Sequence, residues 1–246
     1  MQVKVLASGS KGNVTYVCEN DTRILIDIGM RCCYVEEKLK EMGVDPKIID
    51  AILITHIHND HIMGLHTFAR KYKTKVYISE SMKSHISCDN YGYLSSSFDI
   101  KNINVKAFRT SHDVESFGYV VNDELVYITD TGYINERYFD LLSNKKMYIM
   151  ESNHDVEMLM HGNRPQWLKQ RILSDKGHLS NQSSAFYLSK LIGDNTKYVV
   201  LAHLSQDNNT PLIAIDTLKS VLKEYGVDFI NYSVAKQNEK TENFNI

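Results

Sequence analysis

The run "AILITHIHNDH" constrains this chain more than any other stretch. Residues 51–55, "AILIT", form a continuous apolar run, the pattern of a strand buried on both faces. Directly behind it come His56, His58, Asp60 and His61. A buried core has no use for so many imidazoles, and a plain surface turn seldom needs more than one. Neutral imidazole and carboxylate are the donors that zinc, manganese and iron prefer. His56 and His58 alternate, so on an extended segment they point the same way. Asp60 and His61 follow where the chain turns into a helix, marked by Ile62, Leu65, Phe68, Ala69 and Tyr72 at helical intervals.

One ion does not require four such groups in six positions. Two ions about 3.5–4 Å apart can share them, but they need further donors, one of them an anionic bridge. Three later positions supply candidates, each at the end of a strand: His112 after "NVKAFR", Asp130 after "VYIT", and His203 after "YVVLA". Any one of these alone would more often be structural. Three strands ending in a metal-ligand residue are a pattern. Two divalent ions would generate a nucleophilic water at neutral pH, and Asp60 is placed both to ligate and to accept its proton.

Around these positions the chain reads as strands at 2–7, 14–19, 23–28, 75–79, 103–109, 117–121, 125–129, 146–151, 197–202 and 228–232. Helices are expected at 34–43, 62–72, 134–142, 165–173, 182–192 and 210–225. Strands and helices mix without strict alternation, which predicts an α/β layered sandwich. No linker, low-complexity tract or repeat divides the 246 residues, so a single domain over 1–246 is expected, with a frayed polar tail at about 236–246. "SGSKGN" lacks the spacing of a phosphate loop; Gly9 and Gly12 suit a tight turn that brings Ser10 or Asn13 toward the metals.

Composition narrows the partners. A net charge of -2 offers no global basic field for nucleic acid, so any such binding must be local. Four cysteines without a CxxC pair, no leader-like start and no long apolar run lead to the expectation of a reduced, cytoplasmic protein without membrane association.

The order H-x-H-x-D-H, lone His, Asp, late His resembles that of the metallo-β-lactamase superfamily across nearly the whole chain. The resemblance implies a four-layer αββα sandwich. It also implies a ligand set: His56, His58 and His112 on a first ion, Asp60, His61 and His203 on a second, and Asp130 between them. "LASGSKGNVTYV", "TDTG", "ESNHD", "RILSDKGHLSN" and "LAHLSQDNN" resemble the YycJ/WalJ group of bacterial metallo-hydrolases, which is associated with cleavage of nucleic-acid phosphodiesters. By similarity to superfamily ribonucleases, His178 in "KGHLS" becomes the acid for the leaving group, with Glu151 orienting it and His154 as its rival.

Arg164, Lys169 and Arg171 are candidate phosphate contacts, and Trp167 either stacks on a base or fills the core. His66, His85 and His161 read as ordinary surface or packing histidines. The function expected is a metal-dependent phosphodiesterase, a nuclease on DNA or RNA. The alternative is a small-molecule hydrolase acting on a thioester, lactone or cyclic phosphodiester. Little chain follows His203 to build the helical substrate domain that thioester hydrolases of this fold add. Redox relatives replace the second motif histidine with Glu, and His58 argues against that class.

Overall fold

The computed structural model describes residues 1–246. The chain divides into two compact units, residues 1–107 with 236–246, and residues 108–235.

In the first unit, β1 (Gln2–Ala7), β2 (Val14–Glu19) and β3 (Thr22–Ile26) form an antiparallel meander. β4 (Ala51–Leu53), β5 (Lys75–Ile78) and β6 (Tyr91–Tyr93) then add in parallel, with Ile24 opposite Ala51 and Ile52 opposite Val76. Ile24–Ile26 and Ala51–Ile54 are fully buried, which explains why they read as unbroken apolar runs. Each such aliphatic side chain contributes roughly 1.5–3 kcal/mol on burial. The crossovers carry α1 (Cys32–Glu41), which buries Val35 and Leu39, a short α2 (Asn59–Ile62), and α3 (Leu65–Tyr72), which buries Leu65, Phe68 and Ala69.

Two expectations change here. The helix expected over 62–72 is split by Gly64, whose N–H donates to the Ile28 carbonyl at 2.9 Å. A side chain at Gly64 would lie 2.2 Å from the Met30 carbonyl oxygen, so this close approach requires glycine. The polar tail is ordered rather than frayed. Thr241 N donates to Val5 O, and β14 (Phe244–Asn245) pairs antiparallel with β1, burying Phe244 opposite Val3. The first sheet is thus ordered β14-β1-β2-β3-β4-β5-β6.

The second sheet has the order β13-β12-β11-β10-β9-β8-β7, formed by β7 (Ser97–Ile100), β8 (Ile103–Arg109), β9 (Phe117–Val121), β10 (Leu125–Ile128), β11 (Met147–Glu151), β12 (Tyr198–Ala202) and β13 (Tyr232–Val234). β9 and β10 form a hairpin, while β10 to β13 run parallel, with Ile128 opposite Met150 and Glu151 opposite Ala202. Parallel strands end on one side of the sheet, so the residues following β10 and β12 emerge together with Glu151.

α7 (Asn181–Leu191) and α8 (Pro211–Glu224) cover this sheet with Leu188, Leu191, Ala214 and Leu218. The helix expected over 134–142 is a 3-10 turn at Glu136–Tyr138 followed by α4 (Phe139–Leu142). α5 (Val156–His161) and α6 (Gln166–Leu173) complete the unit. The strand expected over 228–232 is β13, which begins at Tyr232. Two central sheets flanked by helices are the make-up of the αββα sandwich.

Candidate metal centre

In the first unit the donors follow β4 within six residues. His56 and His61 are fully buried, His58 and Asp60 partly so. The segment is held by its backbone: Asn13 N donates to Asp60 O, and Ile28 N to His61 O, both at 2.8 Å. Asp27 sits beneath it, fully buried at φ 60°, a left-handed conformation that is uncommon outside glycine. Its carboxylate accepts from Thr55 N and Thr55 Oγ1, and lies 2.7 Å from His61 Nδ1. Burial raises the Asp27 pKa, while the His61 contact and the Thr55 bonds pull it back.

These bonds fix tautomers. With its proton on Nδ1 toward Asp27, His61 presents a lone pair on Nε2, which has Asn13 Nδ2 at 3.1 Å and Asp60 Oδ2 at 3.5 Å. Thr55 Oγ1 gives its one proton to Asp27, so it accepts from His56 Nδ1 at 3.0 Å, and His56 also presents Nε2. That nitrogen lies 3.0 Å from His58 Nδ1. Buried imidazoles with Nδ1 committed to an oxygen and Nε2 turned toward other donors are the state that metal ligation requires.

In the second unit, donors come from widely separated positions. Asp130, Glu151, His178 and His203 bring ligand atoms to within 4.8 Å of one another. Asp130 and His203 leave their strands at φ 53° and 55°, non-glycine residues in the left-handed region. Glu151, fully buried, is the hub: Oε1 lies 2.8 Å from His178 Nδ1 and 3.0 Å from His203 Nδ1, and Oε2 accepts from Thr131 N and Leu179 N. Burial alone would raise its pKa, but the His178 and His203 contacts hold the carboxyl down at about 2.

Its partner His178 is raised, because Glu151 and Asp130 outweigh burial. His112 gives Nδ1 to the Gly177 carbonyl at 3.2 Å and is lowered, chiefly by burial. His154, 1% exposed and with neither ring nitrogen hydrogen-bonded, is pushed down to about 4 by burial.

The basic candidates are placed otherwise than expected. Lys169 is buried and donates Nζ to the Met160 carbonyl at 2.6 Å, a structural contact. Arg164 pairs with Asp207 and Arg171 with Asp113. Trp167, at 64% exposure, is not a core residue. Asp27 and Asn153, whose Nδ2 donates to His203 O at 3.0 Å, were not singled out from the sequence. The one signal for Asp27 is a carboxylate inside the apolar run "RILIDI".

Comparison with known proteins agrees with this geometry. A profile of the metallo-beta-lactamase superfamily matches residues 7–99. The chain is 38% identical over 240 residues to exodeoxyribonuclease YycJ of Bacillus anthracis, covering 92% of this chain and 90% of that protein. It is 36% identical over 250 residues to exodeoxyribonuclease WalJ of Streptococcus pneumoniae, covering 94% and 93%. Among solved structures, the metallo-beta-lactamase fold protein YhfI from Bacillus subtilis aligns over 98% of this chain and 99% of its own, with a TM-score of 0.70 at 16% identity.

The chain belongs to the metallo-β-lactamase superfamily, in the family of these YycJ and WalJ proteins. Fold and donor clusters together define a metal-dependent hydrolase. No helix is long and apolar enough to cross a membrane.

Proposed function

We propose that this hydrolase is a nuclease that cleaves phosphodiesters of DNA. One observation carries the reading: a single buried carboxylate, Glu151, takes Nδ1 of both His178 and His203. One anion thereby orients a metal donor and a proton donor, the pairing that hydrolysis of a poor alkoxide leaving group demands. The similarity to two exodeoxyribonucleases over nearly the full chain supports DNA as the substrate and an exonucleolytic mode.

On the ligand order of the superfamily, His56, His58 and His112 would hold one divalent ion, Asp60, His61 and His203 a second, and Asp130 would join them, with zinc, manganese or iron as the metal. When bound, the pair supplies a water of lowered pKa and neutralises phosphate charge. Asp60 accepts the proton of the attacking water. His178, its pKa raised by Glu151 and Asp130, gives its Nε2 proton to the departing sugar oxygen. Glu151 holds the ring in place throughout and remains ionised. His154 is unsuited to that role, since burial keeps it neutral near pH 7.

The test is a panel of end-labelled single- and double-stranded DNA and RNA, given to protein stripped by chelator and reloaded with Mn²⁺ or Zn²⁺. Progressive shortening of DNA from one end is expected only after reloading. Intact strands combined with hydrolysis of a thioester or lactone would reject the nuclease reading.

A further inference from the structure

Outside the donor clusters, the first unit holds a cavity of about 490 Å³ beside α3, and its wall is basic. His66, Arg70 and Lys73 line it. Arg70 follows His66 by one turn of the helix, and Lys73 caps its C-terminal end in a left-handed conformation at φ 55°; the buried Ala69 lies in the same wall. The neighbouring Lys71 is neutralised by Glu36 at 2.8 Å, whereas His66, Arg70 and Lys73 form no ion pair. Like charges at helical spacing repel, and on a chain of net charge -2 such a patch is local by construction. The helix dipole favours cations at the end of α3, but it does not account for a cavity enclosed by them.

A second feature lies in the same wall. Thr74 is 3% exposed, and its hydroxyl has no hydrogen-bond partner. Asp89 is the single carboxylate in the lining.

From this we infer that the α3 cavity is a phosphate-binding subsite: the Arg70 guanidinium and Lys73 ammonium grip the phosphate, with His66 at the mouth. Guanidinium and ammonium beside a hydroxyl match an oxyanion that accepts several hydrogen bonds. Assigning that phosphate to the backbone of a substrate strand rests on the nuclease reading; the other source of the same chemistry is a free nucleotide. His66 reads from the sequence as an ordinary histidine, and only the folded cavity groups it with Arg70 and Lys73.

The test compares the wild-type protein with R70Q/K73Q, both residues being exposed. Binding of a labelled single-stranded phosphorothioate oligonucleotide, read by anisotropy at several salt concentrations, is expected to weaken about tenfold in the variant. Its log–log salt slope should become shallower by about 1.4, the value for two lost contacts on a single strand. kcat/KM for bis(p-nitrophenyl) phosphate, which carries no neighbouring backbone phosphate, should be unchanged, and so should Tm. K73Q alone should show half of that change in slope, about 0.7.

Titration with dAMP separates the two sources. Wild-type protein that neither binds nor cuts strands, yet binds dAMP where the variant does not, would end the nuclease reading and keep the subsite. Equal oligonucleotide affinity and slope in both proteins, together with equal or absent dAMP binding, would overturn the subsite.

Discussion

The two donor sets are built on opposite plans. In the first unit, His56, His58, Asp60 and His61 come from one segment of six residues, and a separate buried acid, Asp27, orients His61 through Nδ1. In the second unit, donors arrive from strand ends and from the segment between α6 and α7, scattered between residues 112 and 203, and Glu151 gathers His178 and His203 on one oxygen. Among the imidazoles Asp27 therefore supports His61 alone, a proposed metal donor, whereas Glu151 supports a proposed metal donor and the proposed proton donor. On the proposed roles, one fold separates holding an ion from moving a proton: two carboxylates of similar burial would do unequal work because of what their oxygens touch.

The largest expected effect breaks the first plan outright. His58→Ala removes a donor that no neighbour replaces, and DNA cleavage should fall to background, as it should after chelation. Next comes Glu151→Gln. Two imidazoles lose their anionic acceptor, and kcat should drop by about 10²–10⁴ from the misplaced acid, with metal affinity lowered a further 10–100-fold. Excess Mn²⁺ should not restore it.

His178→Ala should cost about 10²–10⁴ in kcat while bound metal and KM stay as in the wild type; an unchanged kcat would remove it as the acid. Asp27→Asn sharpens the contrast. Metal affinity should fall 10–100-fold, but saturating Mn²⁺ should bring kcat back, which Glu151→Gln cannot do. Equal rescue of both variants would erase the proposed division of labour.

The smallest effect concerns pH. His154 is held at about 4 in the folded protein against 6.5 when unfolded. Its neutral form favours the fold fully above pH 6.5, and this contribution is lost as pH falls toward about 4, on the order of 3 kcal/mol in all. Denaturant melts of wild type and His154→Leu should show a shallower fall for the variant in that window. Glu151, depressed from 4.5 to about 2, behaves in the acid range: its contribution is complete above pH 4.5 and disappears as pH drops toward about 2. The gap between wild type and Glu151→Gln should close over those units.

Legibility in the sequence followed the same contrast. The first donor set was readable because it is contiguous and sits behind an apolar strand. His112, Asp130 and His203 were readable only as residues at strand ends, and their roles came from ligand order rather than from spacing. Asp27 was hidden: five of the six residues in "RILIDI" around it form a good strand pattern, and nothing local tells that its carboxylate meets Thr55 and His61 across the sheet.

Gly64 split the expected helix because of a contact with Ile28 and Met30, distant in sequence. The tail looked frayed because the apolar residue that helps to anchor it, Phe244, is surrounded by polar neighbours. Lys169 reads as a surface cation in any helical wheel, and only the fold shows its ammonium turned to the Met160 carbonyl. In each case the missing information was tertiary.

Everything in the proposed chemistry depends on the two donor sets serving a shared pair of ions. Metal content per chain, measured after exhaustive dialysis of Mn²⁺- or Zn²⁺-loaded protein, tests this most directly. Two ions per chain are predicted for the wild type, falling below one in Asp130→Asn, since the residue proposed to join the ions is lost. A wild type that retains one ion or none, or an Asp130→Asn variant that keeps two, would contradict it.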